Sequence, residues 1–406
     1  MDARETVLAA KAESYDGLPD SRVVGRHGIF PETTHDDVAR INFLAQLNRH
    51  LATHVAPFVR TAWEQRAEPA VRAKTGRPVR DRHEVRKALL GDPMFTTWSA
   101  LRRMTMEQRQ QAGRWIALRQ AEALAGKAKT VAGEDSRLTL DPALPMPRYV
   151  TAVDHHCMAG SYHTELFPGD VSPAANYDVG LFITTGGLLG RWSDGGGRAV
   201  VDWVRLKKPD FRPRRILDIG ATLGHNVLPI AAAFPESEVI ALDLGAPMLR
   251  YGLARARSLG IDNVRFVQAD ATDLSMFEDA SFDWIQTTMF LHELSLSSMQ
   301  AIFRESHRLL KQGGVVLHVE QPQYTPQMPL FEQAMRDWDA FYNNEPFWST
   351  LHEIDLDKGF VDAGFDPSKL IHDRVSADAR DIFPAAADTV EDFGRKAAWR
   401  LVGAER

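Results

Sequence analysis

Cysteine is all but absent from this sequence. Cys157 is the only one in 406 residues, which excludes an internal disulfide and fits a reducing compartment. Long apolar runs are absent too, since no stretch approaches the roughly 20 residues that cross a bilayer. The start, Met1-Asp2-Ala3-Arg4-Glu5, carries mixed charge and leads into no apolar segment of signal-peptide type. Internal repeats and low-complexity tracts are missing. These absences, with 44% hydrophobic and 25% charged residues, predict a cytoplasmic globular protein with no membrane partner. The length predicts two or three domains.

Charge of one sign is scarce overall, the net being −6, but residues 51–130 hold 16 Lys and Arg against 7 Asp and Glu. Such a segment can serve nucleic acid, an acidic substrate or an acidic part of the same chain. Here the arginines are spread around predicted helices, as on a solvated face. Nucleic acid is the less favoured partner.

Residues 1–30 read as an irregular arm. From Thr34, with Asp36-Asp37 as a cap, a helical period runs through Val38, Ile41, Leu44, Leu47, Leu51 and Val55. Pro57 and Pro69 are expected to interrupt it. A second helical region covers 82–126, broken at Gly91-Asp92-Pro93, and 131–147 read as loop. Three parts follow: a helical N-terminal domain (1–147, for substrate or dimerisation), a His- and Gly-rich connecting and lid segment (148–210), and a cofactor domain (211–406). In the last, strands near 215–219, 238–243, 264–268, 283–288, 314–319, 368–374 and 397–403 alternate with helices. That alternation predicts an α/β fold, a doubly wound, mostly parallel seven-stranded sheet covered on both faces.

The densest signal is Arg215-Ile216-Leu217-Asp218-Ile219-Gly220-Ala221-Thr222-Leu223-Gly224-His225-Asn226. A buried strand turns sharply into a helix, presenting helix N–H groups to a ligand at the strand's carboxyl edge. A dinucleotide fingerprint would need Gly-x-Gly-x-x-Gly and a P-loop Gly-Lys-Ser/Thr, and neither is present. Instead Asp218 precedes the first glycine, suiting a ligand with a cationic amine. Asp243 ends the second strand, where a carboxylate can accept both ribose hydroxyls of an adenosine. Leu244 and Met248 follow as candidates to stack on adenine, and Asp270, beside Ala271, could accept from the adenine amine. The competing reading is that each acid caps the next helix.

These residues resemble a class I S-adenosylmethionine-dependent methyltransferase over residues 213–320, with a pattern that continues in order to the C-terminus. Asp218-Ile219-Gly220-Ala221-Thr222-Leu223-Gly224 stands for the family's glycine motif, Thr222 replacing its central glycine. Asp243 matches the ribose acid and Asp270 the adenine-contacting acid. Ser281-Phe282-Asp283-Trp284-Ile285 is similar to the fourth strand, Leu309–Leu317 to the turn into the fifth, and Trp399–Ala404 to the antiparallel last strand. The resemblance implies a Rossmann-like fold and S-adenosylmethionine as cofactor. It implies a cofactor site of Asp218, Gly220, Ala221, Gly224, Asp243, Leu244, Met248, Asp270, Ala271 and Met289.

The resemblance implies an acceptor beyond the fourth strand, where Thr287-Thr288-Met289-Phe290-Leu291-His292-Glu293-Leu294 stands. His292 is the candidate general base for a hydroxyl, and Glu293 could orient it or bind the acceptor. The segment is similar to the Leu-His-Asp of two-domain O-methyltransferases, which place a helical dimerisation domain first, so a homodimer is implied. A carbon or nitrogen acceptor would need no base. Asp154-His155-His156-Cys157-Met158-Ala159-Gly160-Ser161-Tyr162-His163-Thr164-Glu165 matches no standard zinc spacing. His155, His156, Tyr162 and His163 are taken as substrate-pocket lining, with Tyr177-Asp178 and the glycines of 186–197 in the same mobile cover. A structural role at a domain interface and a metal site remain its alternatives. Trp338, Phe341, Tyr342, Phe347 and Trp348 either cap an apolar acceptor pocket or pack in the core. The predicted reaction is methylation of a small, aromatic or apolar, hydroxylated molecule. An RNA methyltransferase and a non-catalytic cofactor-binding scaffold are the rivals.

Overall fold

The computed structural model describes residues 18–383 apart from Glu134, and then 391–392, 395–396 and 399–406. The first seventeen residues of the predicted arm lie outside these. Helix α1 (His35–His50) starts at Thr34, whose hydroxyl accepts from Asp37 N while the Asp37 carboxylate accepts from Thr34 N at 2.8 Å. The cap is therefore Thr34, two residues earlier than the predicted acids, because only its hydroxyl reaches back to the third helical N–H.

Pro57 and Pro69 do not end the helical path. Wide five-residue turns at Leu51–Val55 and Trp63–Ala67 lead into α2 (Ala56–Ala62) and α3 (Glu68–Thr75), each with its proline in the first turn. A proline has no N–H to give and clashes with the carbonyl four residues back, and the i→i+5 geometry relieves both. Helix α4 (Arg82–Leu89), α5 (Pro93–Leu118) and α6 (Ala121–Ala132) follow. The second region thus runs six residues past its predicted end. Strand β1 (Leu138–Thr139), in the predicted loop, pairs in parallel with Phe266 and Val267. Two residues cannot show a period, so this strand has no signature in the residue pattern.

After α7 (Ser172–Thr185) and α8 (Gly195–Lys207) comes the alternating part. It consists of β2 (Arg215–Ile219), α9 (Val227–Ala233), β3 (Glu238–Asp243), α10 (Ala246–Ser258), β4 (Val264–Gln268), β5 (Phe282–Thr288), α11 (Leu296–Leu309) and β6 (Leu310–Glu320). It ends with α12 (Leu330–Tyr342), α13 (Trp348–Glu353), α14 (Leu356–Asp362), β7 (Leu370–Val375) and β8 (Trp399–Glu405). The sheet has eight strands, not the expected seven, in the order β1-β4-β3-β2-β5-β6-β8-β7, and β8 runs antiparallel to both neighbours. The extra strand is β1.

The central strands are buried on both faces, as their continuous apolar runs require. Ile216, Val239, Val264 and Trp284 face one helical layer, and Leu217, Ile240, Ile285 and Val316 the other. The order reverses between β2 and β5, which opens a crevice at their carboxyl ends. The N-terminal helices close it from above: Ile41, Leu44, Ala112 and Ile116 pack on Val179, Phe182 and Ile183 of α7. Trp63, Val85, Phe95 and Trp98 pack on Phe331 and Trp338 of α12. Trp338 is thus core, while Phe341 is exposed. No helix among the described residues is long and apolar enough to cross a membrane.

Gly195, Gly196 and Gly197 are not a mobile cover. They open α8 and press it onto the residues after the β2 turn. The Gly197 N–H donates to Asn226 Oδ1 at 3.0 Å, and a Cβ on Gly197 would stand 2.1 Å from the Asn226 carbonyl oxygen. Gly197→Ala is expected to cost about 1–3 kcal/mol by overpacking. A urea midpoint equal to wild type would show that the turn can yield.

Candidate functional site

The turn after β2 depends on backbone conformations open mainly to glycine. Gly220 and Gly224 have φ of 74° and 88°, and a Cβ on Gly220 would fall 2.3 Å from the Phe290 ring. The Gly220 and Ala221 N–H groups both donate to the Leu242 carbonyl, at 2.9 and 3.0 Å, fastening the turn to β3. Thr222, in place of the expected glycine, accepts a left-handed φ of 46°. Its N–H donates to Asp243 Oδ2 at 2.8 Å, and the Gly245 N–H donates to Oδ1 at 2.8 Å. Asp243 is fixed from both sides. Burial pushes its pKa up to about 6 against those two donors. Asp218 lies buried under the turn; burial and the nearby Asp243 raise its pKa well above the usual range, and its Oδ1 has no hydrogen-bond partner among the described residues.

One cavity collects most of the residues the sequence singled out. Gly220, Asp243, Leu244, Ala271, Met289, His292, Glu293, His155, His156, Tyr162 and His163 all line it. Others stand apart. Met248 is fully buried among Leu223, Tyr251 and Ala254, so it faces the core and not an adenine ring. Ala221 is packed in the core under the turn. Gly224 shapes the turn without reaching the cavity wall. The Asp270 carboxylate accepts from Thr272 N at 2.9 Å and Thr272 Oγ1 at 2.8 Å, a local cap of the kind weighed against adenine binding.

Beyond β5 the chain makes a sharp corner at Met289 (φ 54°) and a single turn at Leu291–Glu293. Glu320, at the end of β6, organises it. Its carboxylate accepts from Phe290 N at 2.7 Å and Gln321 N at 3.0 Å, and bonds His292 Nδ1 at 3.0 Å. His292 is therefore oriented by Glu320 and not by Glu293. Burial alone would lower the imidazole's pKa, but the Glu320 carboxylate outweighs it and carries it up to about 10. Sequence reasoning missed Glu320, whose only sign is an acid at a strand's carboxyl end.

Glu293 belongs to a different group. The ring of His156 lies between two carboxylates, Nδ1 2.6 Å from Glu345 and Nε2 3.2 Å from Glu293. The Tyr162 hydroxyl donates to Glu293 at 3.1 Å. Burial opposes charge on His156, yet Glu345 and Glu293 together raise it to about 9, and Glu293 falls to about 2. The donor atoms of His156, Glu293 and Glu345 lie within 4.8 Å of one another. Each ring nitrogen already faces its own carboxylate, so one imidazolium serves both acids through its two N–H groups. His155 is buried with Nδ1 3.3 Å from Ser161 Oγ.

A second buried carboxylate ties the turn to the rest of the chain. Asp178 Oδ2 accepts from His27 Nε2 at 2.7 Å and from the Tyr251 hydroxyl at 2.8 Å, and Oδ1 accepts from His225 Nε2 at 2.9 Å. Burial lowers both histidines. Asp178, read from sequence as part of a mobile cover, is the buried centre of this network. Asp178→Ala would leave three buried donors without an acceptor, each worth about 1–3 kcal/mol. A loss of at least about 3 kcal/mol by urea denaturation is expected, and a midpoint near wild type would show that water replaces the carboxylate.

Residues 216–314 match the methyltransferase-domain family. An uncharacterized methyltransferase of Bacillus subtilis, YcgJ, is 35% identical over 119 residues, 29% of this chain and 44% of that protein. A ubiquinone/menaquinone biosynthesis C-methyltransferase, UbiE, of Sinorhizobium fredii is 30% identical over 167 residues, 41% of this chain and 60% of that protein. The chain thus spans about half the length of these curated relatives. The solved geranyl diphosphate C-methyltransferase of Streptomyces coelicolor aligns at 16% identity with a TM-score of 0.37, over 52% of this chain and 79% of that one. The glycine turn and the order of the strands agree with the matched family: residues 216–314 form a methyltransferase domain.

Proposed function

We propose that the protein transfers a methyl group from S-adenosylmethionine to a hydroxyl of a small, aromatic or apolar molecule. The observation that carries this reading is the His292–Glu320 pair, on the wall of the same cavity as Gly220 and Asp243. When bound, the cofactor supplies a methyl group on a positively charged sulfur. The residues present fit it. Each Asp243 oxygen takes one backbone N–H and retains acceptor capacity for a ribose hydroxyl. Leu244, Ala269 and Ala271 offer an apolar wall to adenine, whereas Asp218, sealed under the turn, supports the loop from below.

His292 is assigned as the base. Its Nδ1–H is given to Glu320, which leaves Nε2 to receive the acceptor's proton. Glu293, with Tyr162 and His156, forms the polar part of the acceptor wall, and Trp348, tilted 5.3 Å from the His292 ring, forms an apolar part. A second reading, methylation at carbon without a base, is favoured by the similarity to UbiE, a C-methyltransferase.

Three measurements test the proposal. Asp243→Ala should weaken S-adenosylhomocysteine binding at least about tenfold by calorimetry, the loss expected for hydrogen bonds to a charged acceptor. Unchanged affinity would remove Asp243 from the cofactor site. His292→Ala should lower turnover of a phenol panel at least about 100-fold with cofactor affinity retained; full activity would leave the carbon-acceptor reading. A base held near pKa 10 is mostly protonated at neutral pH, so the wild-type kcat/KM should climb as pH rises toward about 10. A flat profile would contradict His292 as the base.

A further inference from the structure

Among the described residues, one cation on the cavity wall has no ion-pair partner. Arg109 extends from α5 into the cavity, surrounded by protein. Its guanidinium donates to Thr184 Oγ1 at 2.6 Å and to the His156 carbonyl at 3.1 Å. Its Nε has no partner, and none of the described carboxylates lies within ion-pair distance of it. The helix shows what is missing. Arg102, seven residues earlier on α5, is within 3.7 Å of Asp339, and Arg119, just past its end, is 2.5 Å from Asp37.

A guanidinium keeps its charge under any burial of this kind, so it cannot escape the desolvation cost by losing a proton. Such a group is retained at a loss in stability unless a ligand completes it. Its two donor contacts fix the plane of the fork, and each terminal nitrogen keeps a second N–H with which to meet a carboxylate, while Nε is sealed in protein. The position selects which ligand. Arg109 is bonded to the backbone of His156, whose ring meets Glu293, the chain neighbour of His292.

We propose that Arg109 anchors a carboxylate of the methyl acceptor, so the acceptor is an acidic small molecule, oriented by this anchor with its hydroxyl toward His292. The proposal deepens the methyltransferase reading and rests on it. The same chemistry could come from the methionine carboxylate of the cofactor, and the test separates the two.

The full chain is first titrated with S-adenosylhomocysteine; absence of binding would sink the methyltransferase reading itself, before Arg109 is tested. The loaded protein is then titrated with benzoate and with its neutral isostere benzamide, in wild type, Arg109→Met and Arg109→Gln. Benzoate should bind wild type more tightly than benzamide, and both variants should lose that preference by at least about tenfold, the scale of a charged hydrogen bond. Equal binding of benzoate and benzamide to wild type, or a preference that survives in the variants, would overturn the assignment. A third arm compares S-adenosylhomocysteine with 5′-methylthioadenosine, which lacks the amino-acid end. If the variants weaken only the first of these by tenfold or more, Arg109 holds the cofactor's carboxylate and the acceptor assignment falls. Both variants remove an unpaired buried charge, so they should fold at least as stably as wild type in thermal melts.

Discussion

Two carboxylates at the carboxyl ends of strands, each receiving backbone N–H groups from a neighbouring loop, set the geometry on which the site depends. Asp243 holds Thr222 and Gly245, so the glycine turn cannot shift relative to β3 without breaking two charge-assisted bonds. Glu320 holds Phe290, Gln321 and His292, so the corner after β5 is fixed relative to β6. The strands supply rigid points and the acids transmit that rigidity to loops. A cleft at a topological reversal would otherwise be walled by mobile segments.

The helical layer above adds the third wall, with an electrostatic character of its own. His156, Glu293 and Glu345 form a buried group in which one imidazolium serves two carboxylates. That group carries a net negative charge, whereas Arg109 nearby carries a positive one with no ion-pair partner among the described residues. The cavity wall therefore carries charge of both signs on adjoining residues. Such a field orients a ligand before any reacting atoms meet.

What could be read from the sequence follows from range. The strands of the sheet were legible because a strand buried on both faces must be apolar throughout, as Ile216, Leu217 and Ile219 are. The glycine turn was legible because its conformations limit the residue types. β1 was not, since two residues carry no period, nor was the continuation past Pro57, since widened turns have no composition signature. Glu320 lies 28 residues from His292, and Asp178 lies 47 from His225 and 151 from His27. No local pattern links such partners. Asp218, Asp243 and Asp270 looked equivalent as strand-end acids, yet one is sealed under the turn, one faces the cavity, and one bonds its own neighbour Thr272.

The Asp178 network also orders events in time. Its carboxylate cannot receive all its donors until the segment at His27, helix α7, the turn at His225 and Tyr251 on α10 have met. Contacts so distant along the chain form late, because the loops that join them must close first. Strands β2, β3 and β4 can pair across short stretches of chain, but the turn's final conformation waits for the segment that contains His27. A folding chain would thus hold these paired strands beside an unfinished ligand crevice until the segment at His27 docks.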